Sequence, residues 1–341
     1  MNILYLGQSG KASTSYHRAK ALERIGHTVT IANPYEILDD LGNLISKLHY
    51  KTGYRFLQKK VQNWINTSIP KNDIDLVWIN SGELFGLKNI KLLKTKFKKP
   101  ILLYNNDDPT GGRDGNRFNM LLTAIPEYDM CVVMRELNVD EYYKKGAKKV
   151  IRVFMSYDEI EHAPLPKSSI EEKFKSEVSF IGTNIPGDNR DKFLLTLIEK
   201  GIPISIWGAR WERSQYWLQL KPFFRGNSLK GKDYIAAIQG SKICIGLLSK
   251  GNRDLHTTRT FEIPFVGSLF CAERTSEHTD LFKENEEAVF WTNAEECAEK
   301  CRNLLNNEEL INKISENGRT KIIQTKRGNE DVVRHILNSI N

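Results

Sequence analysis

The feature of this sequence that most restricts its fold is an alternation of short apolar runs with helical segments, which occurs in both halves of the chain. Six of these apolar runs are Asn2–Leu6, Asp75–Ile79, Pro100–Tyr104, Val178–Ile181, Ile204–Trp207 and Ile243–Leu247. Strands that alternate with helices in this way form parallel sheets that are covered by helices on both faces. The sequence therefore predicts an α/β protein with two Rossmann-like, doubly wound domains.

The length of the chain and its polar segments predict where these domains begin and end. A chain of 341 residues is long enough for two domains. Residues 156–175 are polar and contain proline and serine, which is typical of a linker. We therefore expect an N-terminal domain over residues 1–160, a C-terminal domain over residues 176–325 and a final helix within residues 326–341.

Composition favours a protein of the cytoplasm. No apolar run approaches the ~18 residues that span a membrane, and the first residues predict a strand rather than a signal peptide. The five cysteines are Cys131, Cys244, Cys271, Cys297 and Cys301. Their spacing is not that of a metal site, so we expect buried thiols in a reducing compartment.

The net charge of +8 indicates an anionic partner, and the excess of cations is concentrated in two segments. One lies between Lys88 and Lys99, where Phe97 is the only aromatic residue beside the lysines, which disfavours binding of nucleic acid. The other contains Lys47, Lys51, Arg55, Lys59 and Lys60, interleaved with Leu48, Leu57, Val61, Trp64 and Ile65. We expect residues 36–68 to form a helix. The second pattern predicts either that this helix contacts an anionic membrane from the cytoplasm or that it has a solvated face over a domain core.

Polar loops follow the predicted strands of the first half. The loop Gly7–Thr14 lacks the spacing of a phosphate-binding P-loop and that of a dinucleotide fingerprint, which argues against an NAD enzyme. Asn80–Glu83 and Asn105–Pro109 follow two further strands. Because the carboxyl ends of parallel strands share one edge of a sheet, these loops mark a ligand crevice.

A short stretch of the second half carries most of the charged candidates. Asp254 and Glu262 are separated by seven residues, and Arg259 lies between them. The pattern predicts a loop, a short helix that begins at Thr257 or Thr258 and ends at Gly267, a buried strand and another helix start. A cation in the first turn opposes the helix dipole, so we expect Arg259 to bind an anion outside the helix.

These residues resemble the donor-binding segment of GT-B glycosyltransferases, and most closely that of the CgeB-like branch of the group 1 transferases. The resemblance is carried by Arg259-Thr260-Phe261-Glu262-Ile263-Pro264, Gly267, Glu277-His278, Leu281-Phe282 and the run that ends in Val289-Phe290. In this family two acids seven residues apart bracket the helix. Asp254 takes the first place, where the family more often has glutamate, and Glu262 takes the second. The resemblance covers most of residues 176–335.

The resemblance implies a GT-B architecture, with two Rossmann-like domains facing a central cleft. The first domain would bind the acceptor and the second the nucleotide sugar, and the last helix would pack back on the first domain. The donor would be a nucleoside diphosphate sugar, for which we expect UDP and a hexose, and no other cofactor is implied. The acceptor would be a glycan, a protein or a lipid-linked molecule.

The resemblance also implies roles for individual residues. Glu262 would bind the ribose or the sugar, with Glu277 as a second ribose ligand, and Asp254 and Arg259 would belong to the catalytic group. The remaining nucleotide contacts would come from Asn184, Arg190, Trp207 and Gly208. Structural alternatives remain for these residues: a surface acid or ion pair for Glu262 and Arg259, a helix-start residue for Arg190 and Glu277, and a core residue for Trp207.

The expected mechanism is metal-independent and retains the anomeric configuration. A leaving phosphate oxygen would take the acceptor's proton, so no protein base would be needed. If the enzyme inverts instead, His17 or Asp107 would act as the base, although His17 can equally be structural and Asp108 can simply form a turn. Asp107-Asp108 lacks the Asp-x-Asp spacing of a metal site, so no metal ligand is predicted. The alternative function is a non-catalytic module of the same fold that binds a nucleotide or a polyanion.

Overall fold

The structure, a computed structural model, describes residues 1–39, 41–70 and 73–340. The parts of the predicted helix 36–68 and of the C-terminal segment 326–341 that fall on Asp40 and Asn341 lie outside this range. The chain divides into two compact units. Unit 1 consists of Met1–Phe154 together with the residues from Asn329 onward, and unit 2 consists of Met155–Gly328. Within the described residues, no helix is both long and apolar enough to cross a bilayer.

Unit 1 is built on a parallel sheet of six strands in the order β2-β1-β3-β4-β5-β6. The strands are β1 (Asn2–Leu6), β2 (Thr28–Ala32), β3 (Leu76–Asn80), β4 (Ile101–Tyr104), β5 (Met130–Val133) and β6 (Val150–Arg152). Because β1 pairs with both β2 and β3, the strand order reverses at β1 and β3. Ligands of doubly wound sheets bind at the carboxyl ends of the strands that flank such a reversal.

Helices cover the sheet of unit 1. They are α1 (Thr14–Arg24), α2 (Asn43–Lys51), α3 (Gln58–Thr67), α4 (Leu87–Phe97), α5 (Asn119–Ala124), α6 (Glu136–Lys144) and the final helix of the chain, which spans Asn329–Asn338. That final helix packs on α1, where Arg24 Nε lies 2.5 Å from Glu330 Oε1. The last segment of the chain therefore completes the first unit rather than the second.

The prediction of one helix over residues 36–68 was wrong. A 3-10 helix over Pro34–Leu38, α2, a second 3-10 turn over Arg55–Leu57 and α3 occupy this segment. The break after α2 is set by Gly53 and Tyr54, which have φ values of +62° and +59°. A right-handed helix cannot continue through residues in the left-handed region.

The apolar stripe of this segment belongs to the core of unit 1. Leu57, Val61, Trp64 and Ile65 are all buried, in the cluster that also contains strands β1, β3 and β4. Lys60 directs its ammonium group to the carbonyl oxygen of Ile37 at 2.8 Å. For these four residues the alternative that places the stripe over a domain core is therefore correct, whereas Leu48 is exposed.

Unit 2 contains a second parallel sheet of six strands, in the order β12-β11-β10-β7-β8-β9. The strands are β7 (Ser176–Ile181), β8 (Ile204–Trp207), β9 (Phe224–Gly226), β10 (Ser241–Gly246), β11 (Leu269–Glu273) and β12 (Val289–Trp291). The order reverses at β7 and β10. The edge strand β9 was missed by the sequence analysis because its three residues contain no apolar run of useful length.

The helices of unit 2 follow its strands. They are α7 (Arg190–Glu199), α8 (Trp217–Leu220), α9 (Gly231–Gln239), α10 (Arg259–Val266), α11 (Ser276–Leu281), α12 (Ala294–Leu305) and α13 (Glu308–Gln324). With these assigned, the final helix Asn329–Asn338 of unit 1 is α14. The predicted linker 156–175 contains two short 3-10 helices and belongs to unit 2 by its contacts.

The ends of α10 agree with the sequence prediction. Thr258 occupies the N-cap position and Gly267 the C-cap position, where φ is +103°. Glycine adopts this conformation without the steric cost of a Cβ atom. The helix therefore ends at a defined residue, and β11 begins two residues later.

His278 connects α11 to α10 and β11 through a buried ring. Its Nδ1 donates to the carbonyl oxygen of Glu273 at 2.7 Å, and its Nε2 accepts from the hydroxyl of Thr260 at 3.0 Å. The ring stacks on Phe290 with the centroids 5.7 Å apart. Burial lowers the pKa of His278 to about 4, because the protonated ring would lose its solvation.

This low pKa predicts that unit 2 loses stability in mild acid. In the unfolded chain the histidine has a pKa of about 6.5, against about 4 in the folded protein. Between these values only the unfolded chain binds the proton, so the free energy of unfolding falls with decreasing pH, by up to about 1.4 kcal/mol per pH unit. Urea unfolding followed by tryptophan fluorescence between about pH 7 and pH 4.5 should show this dependence, weakened by His278→Gln.

The matched control is His335→Gln, because His335 is exposed on α14. This substitution should leave the pH dependence unchanged. An NMR titration of the folded protein that placed the pKa of His278 near 6.5 would contradict the prediction.

Candidate functional site

Most of the predicted donor-binding residues of unit 2 lie at or near the carboxyl edge of its sheet, where the strand order reverses. The loop after β7 carries Asn184 and leads into α7 at Arg190, and Trp207 and Gly208 follow along β8. The segment after β10 carries Asp254 and leads into α10. The sheet topology thus brings residues from three separate parts of the sequence to one edge.

The carboxylate of Glu262 is buried in the first turn of α10 and has several protein partners. The residue is 2 % exposed. Its Oε2 accepts a hydrogen bond from the hydroxyl of Tyr234 at 2.5 Å and lies 3.3 Å from Arg259 Nη1. Its Oε1 faces His162 Nε2 at 3.7 Å. The Nδ1 of His162 accepts from the amide of Asp158 at 2.9 Å, so Nε2 carries the proton that points towards Glu262.

The surroundings of Glu262 keep it ionised although it is buried. Burial alone raises the pKa of a carboxyl group. Here Arg259 and His162, together with the hydrogen bonds of Tyr234 and Thr258, outweigh burial and hold the pKa of Glu262 below its usual value. A fixed negative charge with oxygen lone pairs can accept hydrogen bonds from hydroxyl groups of a ligand.

Arg259 keeps part of its guanidinium available for a ligand. Nη1 donates to Thr258 Oγ1 at 3.1 Å and contacts Glu262, and the guanidinium lies 4.9 Å above the ring of Tyr234. Its side chain is 37 % exposed. In the part of the chain that the structure describes, Nε and Nη2 make no hydrogen bond. An anion can therefore bind to these two donors without breaking the contact with Glu262.

Asp254, the first acid of the pair, is also buried. It follows a 3-10 helix over Lys250–Asn252 and the residue Arg253, whose φ is +53°. The amide of Asp254 donates to the carbonyl oxygen of Ser249 at 3.4 Å. This compact turn fixes the position of Asp254 in the segment that joins β10 to α10.

Glu277 is paired with a histidine that the sequence analysis did not single out. The amide of Met155 donates to Nε2 of His256 at 3.1 Å, so Nδ1 carries the ring proton. Nδ1 donates to Glu277 Oε2 in a short hydrogen bond. Glu277 therefore has at least one oxygen committed to the protein, and its place as a second ribose ligand stays a prediction.

Arg190 joins the two loops at the strand reversal. It is the first residue of α7, and its Nη1 and Nη2 donate to the carbonyl oxygens of Thr183 and Leu248 at 3.0 and 3.1 Å. Nη2 also lies 3.1 Å from Asp188 Oδ2. One alternative left by the sequence was that Arg190 is only a solvated residue at the start of a helix. This alternative is wrong, because Arg190 is 8 % exposed. The contacts give it a positioning role for the loops after β7 and β10.

Gly208 allows the end of β8 to approach the loop after β7. Its φ is +140°, and a Cβ atom would lie 1.9 Å from the carbonyl oxygen of Gly182. Within that loop, the amide of Asn184 donates to the carbonyl oxygen of Ala209 at 3.0 Å. Only glycine fits at position 208 without moving this backbone.

Trp207 lies in a small apolar cluster. It is 7 % exposed and packs against Phe174, with the ring centroids 5.8 Å apart, and against Ala236 and Ala237. Among the described residues its Nε1 has no hydrogen-bond partner. This packing agrees with the alternative in which Trp207 is a core residue. A contact between Trp207 and a nucleotide base stays a prediction.

The candidate bases of unit 1 are both engaged with the protein. His17 is buried, and its Nε2 lies 2.8 Å from the carbonyl oxygen of Lys11, so this interaction steadies the loop before α1. Asp107 Oδ2 lies 3.4 Å from Arg117 Nη1. Asp108 is 2 % exposed and accepts from Asn138 Nδ2 at 2.8 Å, which agrees with a structural turn.

Unit 1 also contains an ion pair at the carboxyl edge of its sheet, between the predicted crevice loop Asn80–Glu83 and Arg117, which the sequence analysis did not single out. Glu83 is buried in the loop after β3, and its Oε2 lies 2.5 Å from Arg117 Nε. Burial raises the pKa of Glu83 despite the attraction of Arg117. Arg117 joins Glu83 to Asp107 and is 34 residues away from Glu83 in the sequence (117 − 83), so spacing gave no signal for this cluster.

Three cysteines meet in the core of unit 2. The Sγ atoms of Cys271 on β11 and of Cys297 and Cys301 on α12 all lie within 4.8 Å of one another. The sequence indicated only that the last two are one helical turn apart. All five cysteines of the chain are free and buried, as predicted. Within the described residues no fourth histidine, cysteine or carboxylate joins the three, and their surroundings are apolar.

Comparisons with known proteins agree with this arrangement. Residues 190–338 match the family model described as glycosyl transferase-like. No curated protein is significantly similar to the chain in sequence. Among solved structures, Alr3699/HepE from Anabaena in complex with UDP-glucose has a TM-score of 0.67 at 12% identity, covering 99% of this chain and 100% of that protein.

Two further structures are similar over their whole length. The sucrose-phosphate synthase of Thermosynechococcus elongatus has a TM-score of 0.69 at 11% identity, with 99% of this chain and 98% of that chain covered. A UDP-forming α,α-trehalose-phosphate synthase from Burkholderia xenovorans, in complex with glucose-6-phosphate, has a TM-score of 0.68 at 10% identity, with both chains covered completely. At these identities the likeness shows the fold, which is GT-B, with two parallel α/β sheets.

The family match and the fold together confirm the resemblance found in the sequence. Residues 190–338 contain Arg259, Glu262 and Glu277 of the quoted motif, and they lie almost entirely in unit 2. The chain thus has the GT-B fold, and its residues 190–338 form a glycosyl transferase-like domain of the CgeB-like kind.

Proposed function

We propose that this protein transfers a hexose from a UDP-sugar to an acceptor, retains the anomeric configuration and needs no metal ion. The observation that carries the proposal is the ionised carboxylate of Glu262, buried at the strand reversal beside the partly free guanidinium of Arg259. A nucleoside diphosphate sugar has ribose hydroxyls and a diphosphate, and these are complementary to a carboxylate next to a cation.

The comparisons support the choice of donor. The Anabaena protein was crystallised with UDP, with UDP and glucose, and with UDP-glucose. The Burkholderia synthase is UDP-forming. In the present chain, Glu262 would accept from the ribose hydroxyls while Nε and Nη2 of Arg259 bind a phosphate oxygen. Asp254 would lie beside the sugar, and Asn184, Trp207, Gly208 and Glu277 would complete the nucleotide site.

The contacts of unit 1 favour retention. In the proposed step the bond between the sugar C1 and the leaving phosphate oxygen breaks, and the acceptor hydroxyl oxygen forms a bond to C1. The proton of that hydroxyl passes to the leaving phosphate. An inverting enzyme would need a protein base instead. The Nδ1 of His17 is buried and Asp107 is paired with Arg117, so neither is set up to take this proton.

Charge on the leaving group would be stabilised by the protein rather than by a metal. The diphosphate gains negative charge as the C1–O bond breaks, and Arg259 and the amino-terminal end of α10 are positive. The role of Arg190 would be indirect, because it holds the loops after β7 and β10 in place. The acceptor would bind to unit 1 and can be a glycan, a protein or a lipid-linked molecule.

Glu262→Gln should reduce kcat/KM for the donor at least about a hundredfold, because a charge-assisted contact of about 3 kcal/mol is lost. The amide is close to the carboxylate in size, so the fold should be preserved. Release of UDP from a panel of UDP-hexoses in the presence of simple acceptors measures the effect. Glu309→Gln, an exposed acid in the first turn of α13, serves as the control and should be as active as the wild type. Wild-type activity of Glu262→Gln with every donor used would refute the assignment.

Arg259→Ala should weaken binding of UDP by at least about tenfold and leave binding of uridine nearly unchanged, since only the diphosphate contacts the guanidinium. Isothermal titration calorimetry with both ligands provides the measurement. Arg213→Ala removes a cation of unit 2 whose side chain is 74% exposed and should alter neither affinity. Equal losses for UDP and uridine would show that Arg259 does not bind phosphate.

Turnover should be the same in EDTA as in magnesium or manganese, because the proposed site neutralises phosphate with Arg259 and a helix end. The assay is UDP release after the protein has been dialysed against the chelator. Loss of activity in EDTA that either metal restores would overturn metal independence but would leave the assignment of Glu262 intact.

A further inference from the structure

Unit 1 carries an exposed surface that is both apolar and basic, centred on α2. Four apolar side chains and four cations form it: Leu44, Ile45, Leu48, Phe56, Lys47, Lys51, Arg55 and Lys59. We refer to these eight residues as the α2 surface. None of them belongs to the proposed site. Of the apolar residues that the sequence indicated for membrane contact, only Leu48 is part of this surface, and the other four lie in the core.

The apolar side chains of the α2 surface are unusually exposed for their type. The exposed fractions are 82% for Leu44, 50% for Ile45, 55% for Leu48 and 62% for Phe56. Leu44 and Leu48 are one turn apart on the helix, and Ile45 is adjacent to them, so the three share one face. Large apolar side chains that are grouped at a surface mark an interaction site.

The cations of the α2 surface have no acidic partners among the described residues. In the described residues, Lys47, Lys51, Arg55 and Lys59 form no ion pair, whereas Lys60 is bound to a carbonyl oxygen. The guanidinium of Arg55 lies 4.5 Å above the ring of Phe56. The α2 surface therefore presents uncompensated positive charge beside exposed apolar groups.

A tight turn joins α2 to the segment that carries Arg55, Phe56 and Lys59. Tyr54 donates its amide to the carbonyl oxygen of His49 at 2.8 Å. At Gly53, a Cβ atom would lie 2.2 Å from the carbonyl oxygen of Asn116, so the turn approaches its neighbour closely. Phe56 thus follows α2 after a turn whose backbone conformation is defined.

We propose that the α2 surface binds an anionic lipid bilayer, with the apolar side chains inserted at the level of the headgroups and the cations bound to lipid phosphates. Leucine, isoleucine and phenylalanine flanked by lysine and arginine are the composition of helices that lie in the bilayer interface. The proposal does not depend on the catalytic assignment, because neither the donor residues nor turnover enters it.

Other partners fit this surface less well. A second copy of the chain, related by a two-fold axis, would bring the α2 cations close to their own equivalents, and like charges repel. Nucleic acid would need planar side chains for stacking, but three of the four apolar side chains are aliphatic. An anionic bilayer accepts both the aliphatic groups and the positive charge.

The test is co-sedimentation of the full chain with vesicles at low salt. The vesicles are phosphatidylcholine alone or phosphatidylcholine with about one third phosphatidylglycerol. Binding is expected only to the anionic vesicles and should fall as salt is added. Lys47→Gln/Lys51→Gln should weaken binding about fivefold for each charge removed, and Leu44→Ser/Leu48→Ser should weaken it further at every salt concentration.

Matched controls come from α6 and its carboxyl end. Lys144→Gln/Lys145→Gln removes two exposed lysines of unit 1, and Leu137→Ser removes a leucine that is 57% exposed. Both controls should bind as the wild type does, and circular dichroism should show that all variants are folded. The proposal is overturned if the wild type does not bind anionic vesicles, or if it binds neutral vesicles equally well. Equal effects of the α2 and control variants would also overturn it. So would a dimer in sedimentation velocity that Leu44→Ser/Leu48→Ser dissociates.

Discussion

The ionised side chain of Glu262 is the constraint on which the proposed donor site depends. A carboxylate without water loses several kcal/mol of solvation, and an unpaired one would take up a proton instead. Tyr234, Arg259 and His162 prevent this, and they come from α9, from α10 and from the segment before β7. Elements distant in the sequence must therefore fold together before Glu262 can act as a charged ligand.

The sequence was sufficient to predict the two sheets and the motif on α10, because both signals are local. Strand periodicity, Gly267 as a helix end and the spacing of Asp254 and Glu262 can all be recognised in short windows. The partners of Glu262 could not be found in this way. His162 precedes it by 100 residues (262 − 162), in a segment that composition suggested was a linker. Only the assembled unit places such residues together.

The segment from residue 36 to residue 68 shows a different limit of sequence reasoning. The apolar and basic residues were recognised, but their separation into a buried and an exposed group was not. Leu57, Val61, Trp64 and Ile65 pack in the core, whereas Leu44, Ile45, Leu48 and Phe56 are exposed. Most members of the two groups also lie in different helices, because α2 ends before Gly53 and Tyr54, whose φ values are positive, and α3 begins after them.

Arg190 illustrates how a cation in the expected loop can act without contacting a ligand. Its terminal nitrogens bind the carbonyl oxygens of Thr183 and Leu248, one from each loop at the strand reversal, and Asp188 offsets its charge. A buried guanidinium with these bonds is costly to displace, so it fixes the distance between the two loops. Arg259, in contrast, is partly exposed and keeps donors free. The two arginines thus have different roles. Arg190 fixes the position of the two loops, and Arg259 is available to bind an anion.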